Sequence, residues 1–220
     1  AKVRRAAGGA GGSKDGKAAS AGGAPKPNRG SGWRDDSPSL ALYHQVVPRP
    51  GRQSGMDRLE TLTRAISTFA QRKQLGLARK AFEAIGVEGL SPSAYSFSNL
   101  LNAHINSGDV PGAEAVLKDM RAAGCVPNVV VYTTLLKGYA TSGDVERAEA
   151  LLSEMVEERP PVWPDTRACN TFLRGCVRVG DIAAAVATFK RMEADWGAVP
   201  DASAVKYMGR LLSQGLRLEA

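Results

Sequence analysis

Four short segments place apolar residues at the same i, i+3, i+4, i+7 spacing. They are Leu62, Ala65, Ile66, Phe69; then Phe97, Leu100, Leu101, His104; then Tyr132, Leu135, Leu136, Tyr139; then Cys169, Phe172, Leu173, Cys176. That spacing puts each set on one stripe of an α-helix. A second stripe follows at Val145, Ala148, Leu151, Leu152 and Met155. Between the two kinds of stripe stand Gly108-Asp109, Gly143-Asp144 and Gly180-Asp181, 35 and 37 residues apart. Gly ends a helix in the left-handed conformation and Asp caps the next one. Pro111, just after Asp109, suits a first helical turn. Each unit therefore reads as a helical hairpin.

A second mark repeats with the same period. Pro92, Pro127, Pro164 and Pro200 are 35, 37 and 36 residues apart. A hairpin with two apolar faces cannot bury both alone, so stacked neighbours must cover them. The expected fold is all-α, a right-handed α-solenoid with units at 59–93, 94–128, 129–165 and 166–201 and a partial unit at 202–220.

Composition changes the picture only before residue 59. Residues 1–38 are Gly/Ala-rich with scattered Lys and Arg and almost no large apolar side chain. Such a stretch cannot offset its ordering entropy. It reads as a disordered tail or linker, or as an organelle transit peptide by its basic, acid-poor composition. Residues 39–58 carry an apolar patch broken by two prolines and read as a docking segment. The net charge of +7 is uneven: residues 1–40 hold eight Lys/Arg and three Asp, net +5, and the remaining 180 hold 21 Lys/Arg and 19 Asp/Glu, net +2. The overall charge thus reports mostly on the tail.

Chemistry is sparse. No phosphate loop, metal cluster or carboxylate pair is visible, and no apolar run approaches the ~18 residues of a membrane span. No catalytic residue, metal, cofactor, membrane partner or small-molecule substrate is expected. Cys125, Cys169 and Cys176 form no CxxC pair, which fits a reducing compartment. Cys169 and Cys176 are two turns apart, about 10.5 Å by helix rise, too far for a disulfide. His104 lies on an apolar stripe without a visible triad and reads as a core or groove histidine.

VVVYTTLLKGYATSGDVERAEALLSEM, followed by WPD, resembles the pentatricopeptide repeat, as does AYSFSNLLNAHINSGDVPGAEAVLKDMRAAGCVPN. TRACNTFLRGCVRVGDIAAAVATFKRM with its VPD is similar but less close. Residues 59–93 keep the length and the core and lack the Gly-Asp pair. The region is also similar to the repeats of protein-only RNase P. The tetratricopeptide repeat, a peptide-binding rival, places Trp and Leu-Gly early in its first helix, and no unit here does.

The resemblance implies a single-stranded RNA partner, read one base per unit by two residues on the concave side. These are Thr63 with Ser93, Ser98 with Asn128, Thr133 with Asp165, and Asn170 with Asp201. It also implies that Tyr95, Val130 and Arg167 pack against bases, whereas Glu60 in the same place of the first unit would repel phosphate. Donor and acceptor chemistry agrees: G and U offer a ring N–H, A and C a ring acceptor; Asp only accepts, Asn also donates. The family's pairing rules imply A, G and U for the second, third and fourth units and leave the first uninformative. The expected protein is a sequence-selective RNA binder of the chloroplast or, alternatively, the mitochondrion. Its expected roles are RNA processing, splicing, stability or translation. Two alternatives stand beside it: the RNA-binding part of a nuclease or methyltransferase whose catalytic domain lies elsewhere, and a protein-binding helical scaffold.

Overall fold

The computed structural model describes residues 38–48 and 54–218, all helix, turn or loop. The tail read as disordered lies outside the described residues up to position 37; Pro38, its last residue, instead opens a helix. The helices are α1 (Pro38–Val46), α2 (Gly55–Gln71), α3 (Leu75–Val87), α4 (Ala94–Asn106), α5 (Val110–Ala122), α6 (Val129–Ser142), α7 (Val145–Glu157), α8 (Thr166–Val179), α9 (Ile182–Ala194) and α10 (Ala202–Leu218). From α2 onward they pair as hairpins, with α10 as the first helix of a fifth unit.

The turns form as their residues dictate. Gly108, Gly143 and Gly180 adopt φ of +79°, +85° and +86°. The Asp after each caps the following helix: Asp109 accepts from the Gly112 N–H, Asp144 from Arg147 and Asp181 from Ala184. The first unit has no such Gly, and Lys73 takes the left-handed turn at φ +57°.

First helices pack directly on one another, α2 on α4, α4 on α6, α6 on α8 and α8 on α10. Second helices make no comparable contact among themselves; each packs on the first helices of its own unit and the next. A layer whose members touch is the inner one of a curved stack, so α2, α4, α6, α8 and α10 form the concave layer. The core runs through it: Leu62, Ile66, Phe69, Leu101, Tyr132, Leu135, Leu136, Phe172 and Leu173 are all no more than 1% exposed. The stripes read from the sequence are this core, His104 and the two cysteines included.

At Gly175 two inner helices meet against backbone. A Cβ there would lie 3.1 Å from both Cα and Cβ of Ala140 on α6. Gly175→Val is therefore expected to push α8 off α6 and to cost about 1–3 kcal/mol, in the range of overpacked cores. Urea denaturation would show this as a lower midpoint.

α1 belongs to the stretch read as a docking segment, and it docks on the first unit. Tyr43 stacks on Phe69 with ring centroids 6.1 Å apart, and the Lys80 ammonium sits 4.9 Å from the Tyr43 ring centre. Arg58 completes the latch. Its guanidinium forks onto Glu88 at 2.7 and 2.8 Å and donates to the Pro48 carbonyl at 2.7 Å.

Candidate nucleic-acid interface

The residue closing each unit is, first of all, the N-cap of the next first helix. Ser93 Oγ accepts from the Ser96 N–H. Asn128 Oδ1 accepts from Val130 and Val131, both at 3.1 Å. Asp165 Oδ1 accepts from Ala168 at 2.7 Å, and Asp201 Oδ1 from Ala204 at 2.9 Å. Small polar side chains are favoured there because they satisfy N–H groups with no intrahelical partner.

The cap decides what each residue has left to offer. In Asn128 the carbonyl oxygen is used, so the exposed end is the NH₂, a donor. In Asp165 one oxygen is used, and the other is an acceptor. The same bond that starts the helix thus fixes the outward chemistry.

Their partners stand one turn into each first helix. Ser98 Oγ donates to the Ala94 carbonyl at 2.9 Å, and Thr133 Oγ1 to the Val129 carbonyl at 2.6 Å. Both hydroxyls therefore spend their proton on their own helix and keep lone pairs free. Both are half-buried, while Asn128 and Asp165 are exposed. Tyr95, Val130 and Arg167, the residues expected to pack against bases, are exposed as well, Tyr95 at 66% and Val130 at 56%.

The first and fourth pairs differ from these. Thr63 is buried, with its hydroxyl 2.8 Å from Ser96 Oγ, and Ser93 Oγ lies 3.1 Å from that same atom. Ser96 bridges the pair and consumes its polar groups. Asn99 and Asn106 on α4 donate to the carbonyls of Thr63 and Ala70 on α2, joining the two helices further. In the first unit Glu60 is paired with Arg64 at 2.6 Å.

In the fourth unit the two residues touch. Asn170 Nδ2 lies 3.0 Å from each carboxylate oxygen of Asp201, which orients the amide and leaves its Oδ1 buried without a partner. The Ala204 N–H, followed by the Asn170 amide, holds the Asp201 carboxyl below the usual carboxylate range. The pair borders a cavity of about 410 Å³ walled also by Arg167, Arg174 and Tyr207.

Other reactive side chains serve structure. His104 Nδ1 lies 2.8 Å from Asp109 Oδ2 and steadies the cap of α5. Burial, with smaller effects from the neighbouring Asp165 and Asp181 charges, pushes the Cys169 and Cys176 thiols up to about 12. They stay protonated at neutral pH and are poor nucleophiles. Among the described residues no group of three His, Cys, Asp or Glu side chains is placed to hold a metal, and no helix is long and apolar enough to cross a membrane.

The capping role of Ser93, Asn128, Asp165 and Asp201 had a signal in the sequence. A Ser, Asp or Asn just before an apolar-periodic segment marks a helix start. The capture of Thr63 by Ser96 had none.

Structural comparison places the chain among helical repeat proteins of one kind. The maize pentatricopeptide repeat protein PPR10 superposes with a TM-score of 0.67 at 23% identity, over 81% of this chain and 24% of that one. The same protein in complex with an 18-nt psaJ RNA element gives 0.63 at 22% identity, over 77% of this chain and 24% of the other. The pentatricopeptide domain of Arabidopsis thaliana protein-only RNase P 1 in complex with tRNA gives 0.62 at 17% identity, over 76% of this chain and 84% of that one. The chain spans about a quarter of the length of PPR10. A search of curated proteins finds no match. In sequence, the family model of pentatricopeptide repeat-containing proteins matches residues 61–192. With that match over more than half its length, and with helical hairpins stacked at the family's period, the chain belongs to the pentatricopeptide repeat family.

Proposed function

We propose that this protein binds single-stranded RNA sequence-selectively, one base per unit, with a core of A-G-U read by the second, third and fourth units. The observation that carries this reading is the recurrence in register of a polar residue on the inner helix and a capping residue whose free atom faces outward. Asn128 offers an amide donor, matching the ring acceptor of A. Asp165 offers a carboxylate acceptor, matching the ring N–H of G. In the fourth unit the exposed Asp201 carboxylate, an acceptor, matches the ring N–H of U, with Asn170 held beside it. Thr63 and Ser93 spend their polar groups on Ser96, so the first unit contributes no base preference. Tyr95, Val130 and Arg167 provide the faces on which bases pack. Unstacked bases are required for such contacts, hence a single strand.

The solved relatives support an RNA partner: PPR10 holds an RNA element and the RNase P 1 domain holds a tRNA. The basic, acid-poor segment at 1–38 supports an organellar setting, the chloroplast or alternatively the mitochondrion, with a role in RNA processing, splicing, stability or translation. The fold of the RNase P 1 domain favours a second reading, in which this region is the RNA-binding part of a larger RNA-processing enzyme.

Filter binding with AGU-containing and scrambled single-stranded RNA tests the proposal. Tighter binding of the AGU strand is expected, with both affinities falling as salt rises. Equal binding that does not respond to salt would sink it in favour of a protein-binding scaffold.

A further inference from the structure

From α4 onward acidic charge is sorted between the two layers of the solenoid; only α2 among the inner helices carries acids, Asp57 and Glu60. The inner helices α6, α8 and α10 contain no Asp or Glu. The outer helices carry the acids: Glu114 and Asp119 on α5, and Glu146, Glu149, Glu154 and Glu157 on α7. A solvated surface mixes both signs, whereas a run of successive inner helices that carries cations and no acid marks an anionic partner.

The inner cations also fall in register. Four residues beyond the base-reading position, one helical turn along the same face, stand Ser67, Asn102, Lys137, Arg174 and Arg210 in successive units. The row is neutral in the first two units and cationic in the next three. Lys137, Arg174 and Arg210 are all exposed, and among the described residues none is paired with a carboxylate. Lys137 Nζ touches only a neutral acceptor, Asn106 Oδ1, at 3.0 Å. Arg174 walls the 410 Å³ cavity beside Asn170 and Asp201. In the fifth unit the base-reading position is itself a cation, Lys206, which adds positive charge next to Arg210.

We propose that Lys137, Arg174 and Arg210 form a phosphate track, one cation per unit, that grips the strand electrostatically along α6, α8 and α10 only. The strand is then held asymmetrically: backbone and bases together at the U side, bases alone at the A side. This rests on the RNA-binding reading and adds which phosphates are gripped and by what.

The test is the salt dependence of RNA affinity in the full chain, for the wild type and for the triple variant K137Q/R174Q/R210Q. Each phosphate contact to a single strand contributes about −0.7 to the slope of log K against log salt. The variant's slope is expected to be shallower by about 2, with AGU and scrambled strands weakened alike and their ratio preserved. The charge-keeping variant K137R/R174K/R210K, with an unchanged melting curve, should keep the wild-type slope. Methylphosphonate linkages on the U side of the strand should weaken wild-type binding and leave the triple variant indifferent. A wild-type slope in the triple variant, or equal losses from neutral linkages at either end, overturns the track. A lost AGU preference in the wild type with the slope difference intact would overturn base reading and leave the track standing; a wild type that binds no RNA overturns both.

Discussion

Asp165→Asn is expected to move the base preferred by the third unit from G toward A. The geometry makes this a clean exchange. Asp165 Oδ1 is already committed to the Ala168 N–H. An Asn caps equally well, as Asn128 does at the start of α6. The helix start is retained, and the outward atom changes from a carboxylate oxygen to an amide NH₂. A base-edge contact discriminates by about 1–3 kcal/mol, so the relative affinity for the two bases should change by roughly 5- to 150-fold. Competition binding between strands that differ only at that base reads the change directly. An unchanged preference would mean that Asp165 serves as a cap alone. The melting temperature should hardly move, which separates this outcome from unfolding.

Phe172→Ala should give the largest loss of stability among simple core substitutions. Phe172 is 1% exposed on α8, the inner helix against which α6, α9 and α10 pack. Emptying such a site costs about 3–5 kcal/mol. In a repeat array the loss falls on neighbouring interfaces, because each unit contacts only its neighbours. Hydrogen exchange should therefore accelerate in α8, α9 and α10 before it does in α2 and α4. Uniform acceleration along the chain would show that the array unfolds as one unit and would contradict this local picture. Phe189→Ala on α9, whose ring is only partly buried, should cost less.

The fold was largely legible because repetition made each local signal count several times. One Gly-Asp pair is weak evidence for a turn. Three pairs and four prolines at one period leave little freedom, and the helical stripes between them fix which faces are buried. The first unit shows the limit. Its turn runs through Lys73 at φ +57° with no glycine to announce it, and only its length and core stripe marked it as a repeat. The candidate site was legible as a register: the period located Ser98, Thr133 and Asn170 on the inner helices and Asn128, Asp165 and Asp201 at the unit ends.

What each of those residues can do was not legible, because it depends on partners about one unit away. Thr63 and Ser98 look alike in the sequence. Thr63 is buried against Ser96, 33 residues on, and Ser98 bonds only within its own helix. Asn170 and Asp201 stand 31 residues apart and meet at 3.0 Å. The stripes placed Tyr132 and Tyr139 in the core but not their hydroxyls, which donate to Glu158 and Glu114, 26 and 25 residues away. Sorting of charge between layers became visible only once the packing showed which helices lie inside.

By itself, then, the sequence determined the period, the helices and the identity of the inner stripe, since those follow from local spacing and turn chemistry repeated along the chain. The tertiary structure alone decided which polar groups are spent and which are free to meet a ligand. That outcome is set by distances across unit boundaries, where a hydroxyl or amide of one hairpin finds, or fails to find, a partner on the next.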